Sequence, residues 1–175
     1  MRAMDPADLG RYLRDIPDHP QPGVLFRDIT PLLGDAAAFS AAIDALAAPF
    51  VGSVDLVAGV EARGFMFAAP VAHRLGVGFV PVRKPGKLPW TTVSETYELE
   101  YGTDSLEIHT DATVPGQRVL VVDDVLATGG TAAATVALFR STGADVVAAT
   151  FLVELAALGG RSKLGELPVH SILTY

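Results

Sequence analysis

Apolar residues recur at helical spacing twice near the start of the chain. In MDPADLGRYLRDI, Leu9, Tyr12, Leu13 and Ile16 follow an Asp-Pro start, and DAAAFSAAIDALAAPF repeats the pattern with Asp35 as N-cap, so two surface helices are predicted. Between them PDHPQPGVLFRDITP is too rich in proline and glycine for a regular element, yet it carries Val24, Leu25, Phe26 and Ile29. From residue 54 the period shortens. VDLVAGV, GFVPV, SLEIHT, RVLVV and DVVAATFLV are short, rich in β-branched residues and bounded by glycines or helical stretches, which predicts strands. RVLVV and DVVAATFLV are nearly continuous rather than alternating, as strands covered on both faces are. FMFAAPVAHRLG and TAAATVALFRSTG lie between strands as crossover helices, the second ending at Gly143. The expected class is α/β, a mostly parallel central sheet flanked by helices.

Size and composition sharpen this. A chain of 175 residues is expected to form one domain over 1–175, without linkers or repeats. Half of it is hydrophobic and 19% charged, which excludes a disordered chain, and no charge-free apolar run approaches the roughly 20 residues of a membrane helix. Without cysteine there is no disulfide, thiol nucleophile or thiolate metal site, so any chemistry rests on oxygen and nitrogen. The acidic N-terminus lacks an apolar signal core, and a cytoplasmic location is expected. A net charge of −7 argues against nucleic acid and anionic membranes as partners. An anionic ligand would have to be gripped locally.

Such a grip is offered by VLVVDDVLATGGT, residues 119–131. In parallel α/β sheets ligands bind beyond the carboxyl ends of strands, where strand gives way to loop and helix. Gly129 and Gly130 allow a sharp turn that turns N–H groups and a helix N-terminus toward an anion, and Thr128 and Thr131 add hydroxyls. The spacing matches neither G-x-x-x-x-G-K-[ST] nor G-x-G-x-x-G. Asp123 and Asp124 would repel a polyphosphate and suit a ligand that offers donors; ribose 5-phosphate has both a phosphate and vicinal hydroxyls. Because strand side chains alternate, both acids reach one ribose only if the strand begins to turn at Asp124, and the two are assigned jointly. Two of the three lysines lie in VRKPGKLPW, so Arg83, Lys84 and Lys87 concentrate positive charge after a strand. Arg63, beside Gly64 in GVEARGF, lies just after another strand end.

The run VLVVDDVLATGGT resembles the signature of the type I phosphoribosyltransferases, which bind phosphoribosyl pyrophosphate (PRPP). PGVLFRDITPLL, EARGF, RKPGKLPW, ETYELEYGTDSLEIH and VLVVDDVLATGGT occur in the order found in the adenine phosphoribosyltransferase family, across nearly the whole chain. That resemblance implies a hood, about 17–34, whose Phe26 stacks on the purine while the backbone of Leu25 and Arg27 reads its amino edge. It implies that Ala62, Arg63 and Gly64 with Lys84 and Lys87 grip pyrophosphate, with Arg83 reaching a neighbouring subunit's site in a homodimer. Residues 84–101 would be a lid, with Glu100 and Tyr101 brought near the purine and Glu100 as a proton handler or hydrogen-bond partner. Ala127, Thr128, Gly129, Gly130 and Thr131 would hold the 5-phosphate, and Mg²⁺ would be carried mainly on PRPP and pyrophosphate oxygens, without a protein metal site. The implied reaction joins adenine and PRPP to give AMP and pyrophosphate, with Glu100, Arg63 and Lys87 catalytic.

Competing readings are a phosphoribosyltransferase for another base, which the hood segment argues against, a PRPP-sensing regulator, and a structural α/β interaction domain, which leaves the cradle unexplained. The sensor would want a DNA-binding unit and a basic face. His19, His73, His109 and His170 show no metal-ligand spacing. Gly159 and Gly160 in VELAALGGRSKL read as a helix-end turn without chemistry.

Overall fold

The computed structural model describes residues 4–99 and 102–175. Asp5 caps a single 3-10 segment, Pro6–Tyr12, its carboxylate accepting from Ala7 N at 3.0 Å. The amphipathic helix expected here does not continue. The chain extends instead as strand β1 (Arg14–Ile16), antiparallel to β2 (Phe26–Asp28). Gly10 weakens the helix, the ladder with β2 takes up the next residues, and of the four periodic apolar residues only Leu9 is fully buried. The segment between the two predicted helices is thus more regular than its prolines and glycines suggest, holding β2 and the short helix α1 (Thr30–Gly34). Helix α2 (Ala36–Ala47) starts at Asp35 as expected, the side chain accepting from Ala38 N at 2.8 Å.

The remaining elements are β3 (Leu56–Val60), α3 (Arg63–Leu75), β4 (Gly78–Val82), β5 (Thr92–Glu98), β6 (Thr103–His109), β7 (Arg118–Leu126), α4 (Gly130–Ser141), β8 (Asp145–Glu154) and β9 (Val169–Thr174). Five strands form one parallel sheet in the order β4-β3-β7-β8-β9. β5 and β6 form a separate antiparallel hairpin, attached where Arg83 bridges Glu107 just beyond β4. β5 and β9 were not expected as strands. The segment VELAALGGRSKL runs from the end of β8 into two 3-10 turns, Ala156–Leu158 and Gly160–Leu164, and Gly159 caps the first with a left-handed φ of 66°, the helix-end turn expected there.

Burial explains the near-continuous apolar strands. On β7, Val119 and Val121 face α4 and the hairpin residues Leu106 and Ile108, while Leu120 and Val122 face α2 and α3, including Leu46, Phe67 and Val71. Both faces of the sheet are covered, so both strand parities are apolar. Among the described residues no helix is long and apolar enough to cross a membrane.

Candidate active site

A cleft of about 450 Å³ opens at the carboxyl ends of β3 and β7. Its walls bring together Arg63, Lys84, Asp123, Asp124, Ala127, Thr128, Gly129 and Thr131, all singled out from the sequence, and the cleft also borders Glu61, which was not. The reason lies in the register: β3 pairs with β7 only as far as Gly59 opposite Val122, whereas β7 stays paired with β8 to Leu126 opposite Glu154. The strand therefore does not turn at Asp124, as expected from alternation. It loses its neighbour on one side instead, and both acids, although on opposite faces, line the same cleft.

The two carboxylates differ in setting. Asp124 is buried, with Oδ2 2.9 Å from Arg63 Nε, but that approach is an ion pair without hydrogen-bond alignment, and Oδ2 accepts no hydrogen bond among the described residues. A buried acceptor without a hydrogen bond, on a residue that lines a cleft, is a place for a ligand donor. Asp123 Oδ1 accepts from Asp124 N at 2.9 Å, and lies under the first turn of α3: a Cβ on Gly64 would stand 2.7 Å from it. Burial first, then the charge of Asp124, pushes the Asp123 carboxyl well above its usual range, and Arg63 offsets only part of this.

The glycine–threonine turn leads into α4 through Gly129, whose φ of 81° is left-handed. The first α4 donor with a helical partner is Ala133 N, bonded to Gly129 O at 2.9 Å, so the N–H groups of Gly130, Thr131 and Ala132 lack intrahelical partners at the positive end of the helix dipole. The cradle expected from the sequence is thus present as backbone geometry.

The basic segment divides. Lys84 lines the cleft and binds Asp104 of β6, with Tyr97 OH at 3.4 Å. Burial alone would lower its ammonium, but the bonds to Asp104 and Tyr97 outweigh this and hold it above its usual value. Tyr97 OH in turn lies 3.3 Å from Thr131 Oγ1, so the hairpin touches the cradle. Glu61 organises the other side: it accepts from Lys84 N, and its Oε2 lies 3.3 Å from Arg83 Nη2. Arg83 is not part of the cleft wall, its guanidinium meeting Glu61 and the Lys87 carbonyl, and Lys87 is exposed outside that wall.

Of the hood residues, Phe26 stands next to Arg63 without lining the cleft itself, the guanidinium 5.7 Å from its ring centroid and His19 edge-on at 5.1 Å. Leu25 is exposed beside it. The Arg27 guanidinium stacks 3.8 Å over the Tyr175 ring and pairs with Asp15 at 2.5 Å. Glu100 and Tyr101 lie outside the described residues. No three His, Asp or Glu side chains gather into a metal cage among the described residues.

The carboxylates at the end of the central strand β7 and the glycine turn at the N-terminus of α4 lie within residues 32–166, which match the model of the "Phosphoribosyl transferase domain" and place the chain in the phosphoribosyl transferase class. Adenine phosphoribosyltransferase of Thermobifida fusca is 60% identical over 167 residues, 95% of each chain. The crystal structure of the enzyme from Thermoanaerobacter pseudethanolicus superposes with a TM-score of 0.94 at 54% identity, covering 98% of this chain and 100% of that one. The Saccharomyces cerevisiae enzyme, solved with an imino-altritol bisphosphate and adenine, gives 0.91 at 42% identity over 96% and 98%. The chain belongs to the adenine phosphoribosyltransferase family.

Proposed function

We propose that the protein transfers the 5-phosphoribosyl group of PRPP to N9 of adenine, giving AMP and pyrophosphate, as an adenine salvage enzyme of the cytoplasm acting as a homodimer. The observation that carries this reading is the one cleft lined together by Asp123, by Asp124 with its Oδ2 lacking a hydrogen bond, by Arg63 and by the turn into α4. A phosphate in the cradle and ribose hydroxyls on the two acids fix C1 of the sugar at the cleft centre. The N9–C1 bond forms as the bond from C1 to the pyrophosphate oxygen breaks, with inversion and oxocarbenium character, and the N9 proton passes to Glu100 or to water. Positioning supplies much of the rate, since a well-oriented bound pair avoids about 7–11 kcal/mol of barrier.

Arg63 and Lys84 face the leaving pyrophosphate. Lys84 exchanges Asp104 for that anion, so its charge is neutralised at both stages. Lys87 and Arg83 join this role from the loop, with Arg83 serving the neighbouring subunit. Mg²⁺ would be carried mainly on PRPP and pyrophosphate oxygens, with Asp123 and Asp124 as the carboxylates lining the same cleft, and would neutralise charge on the departing pyrophosphate. Around the base, Phe26 offers the stacking face, Leu25 and Arg27 the backbone groups, and Tyr101 a further substrate contact. Residues 17–34 act as hood and 84–101 as lid over the one domain.

The deciding assay offers PRPP and Mg²⁺ with adenine, hypoxanthine, guanine or uracil in turn and resolves the nucleotides formed. AMP from adenine alone supports the reading; conversion of another base instead would refute the assigned role of the hood. Replacing Phe26 with Ala is expected to raise the adenine KM by about 10- to 100-fold, the usual worth of one base–aromatic stack, with the PRPP KM little changed. Initial rates over a matrix of both substrates separate the two.

A further inference from the structure

Behind the cradle lies the Gly159–Gly160 turn, in a segment to which the sequence lent no chemistry. The contact is backbone against backbone. A Cβ on Gly160 would stand 2.2 Å from the Ala127 carbonyl oxygen and 2.8 Å from Gly129 N, and a Cβ on Gly129 would stand 2.3 Å from the Gly160 carbonyl oxygen. Neither neighbour is a flexible side chain that could swing aside. The two turns interlock at the one place where the chain passes from β7 into the cradle.

The turn behind is itself fastened. Gly159 N bonds to Ala156 O at 3.0 Å, and Ser162 Oγ to Gly159 O at 2.7 Å. Arg161 grips Glu154 through Nε at 2.9 Å and Nη2 at 2.5 Å, and donates Nη1 to the Val169 carbonyl at 2.9 Å. Ser171 of β9 adds a hydrogen bond to Glu154 Oε2 at 2.6 Å. Glu154 is buried at the end of β8, in register with Leu126, the residue from which the cradle departs. The Arg161 fork holds its carboxylate below the usual range, with Ser171 assisting against burial. A charge-assisted, bidentate clamp, buried at Glu154 and half-exposed at Arg161, therefore ties the turn to two strands of the sheet.

We infer that Gly160 and the Arg161–Glu154 pair are positioning residues for the 5-phosphate cradle, setting where its N–H groups stand without touching the ligand. The inference rests on the proposed reading of the cleft as a ribose 5-phosphate site. Its specific consequence is selectivity. A displaced cradle weakens binding of a phosphate held by α4, but leaves binding on the opposite wall, through Arg63 and Lys84, in place.

The test is calorimetric titration of the full-length protein with ribose 5-phosphate and, separately, with Mg²⁺-pyrophosphate. If unaltered protein binds no ribose 5-phosphate, the reading of the cleft fails, and the positioning role with it. Given such binding, Gly160→Ala is expected to weaken ribose 5-phosphate at least ten-fold with pyrophosphate changed less than two-fold. Arg161→Lys, which keeps the charge but loses the fork, is expected to show the same selectivity at about three-fold or more, and decides the matter if Gly160→Ala does not fold. Unchanged ribose 5-phosphate affinity, or equal loss of both ligands, would overturn the positioning role while leaving the functional reading intact.

Discussion

Changing both Asp123 and Asp124 to Asn is expected to lower kcat/KM for PRPP by roughly 10²- to 10⁴-fold, because a hydrogen bond to a charged group contributes about 1.5–3 kcal/mol and two are lost. Asp124 Oδ2 accepts no hydrogen bond among the described residues and meets only the charge of Arg63 at 2.9 Å, so its loss is felt in the cleft more than in the fold. PRPP affinity equal to that of the unaltered protein would remove the acids from the ribose site. Stability should move the other way with pH. Asp123 is raised above the ordinary 3.8, first by burial and then by Asp124, so the folded chain keeps a proton that the unfolded chain releases. Folding stability then falls as pH climbs from about 3.8 through the raised value, and stays low above it. Asp123→Asn alone removes that slope. Its melting temperature is expected to exceed that of the unaltered protein at pH 8 and to converge with it near pH 3; a difference independent of pH would contradict the buried-acid account.

Gly64→Ala is expected to cost about 100-fold in activity, since a shift on the order of 1 Å in a positioning element has that effect. The added Cβ would stand 2.7 Å from Asp123 Oδ1, so either that carboxylate turns away or the first turn of α3 withdraws from β7. If the turn withdraws, Arg63 moves with it, disturbing its pairing with Asp124. Either way one methyl group disturbs the acids of the cleft. Steady-state kinetics with both substrates and a melting curve check this: the activity should fall while the protein still unfolds cooperatively, and near-normal activity would mean that α3 relaxes without consequence.

What could be read from the sequence follows how local each feature is. The β7–α4 corner was legible because an apolar run, two acids and two glycines are adjacent in the chain and their geometry is set by neighbours. The hairpin strand β5 and the strand β9 were not, since both are only part-buried and owe their extension to pairing partners rather than to a strong pattern of their own. At the N-terminus four apolar residues at helical spacing misled, because such a short run is also compatible with a 3-10 turn followed by a strand. In the site, Glu61 was missed because its work is to bind the Arg83 and Lys84 that follow some twenty residues later, and nothing beside it in the chain signals this. The Gly159–Gly160 turn was missed for the same reason, as its partner backbone lies about thirty residues earlier.

The two small ribbons differ from the sheet in what a change to them would disturb. β1–β2 carries Phe26, and β5–β6 carries the partners of Lys84, whereas the acids and cradle come from the middle of five strands. Insertions or exchanges confined to a ribbon leave the central ladder intact. Read with the proposed function, the part of the substrate common to all phosphoribosyl transfer is held by the portion of the molecule least open to revision, and the part that distinguishes one base from another by a portion that can be rewritten without refolding the rest. New base preferences are therefore more accessible to selection, and to a designer, than a new sugar phosphate.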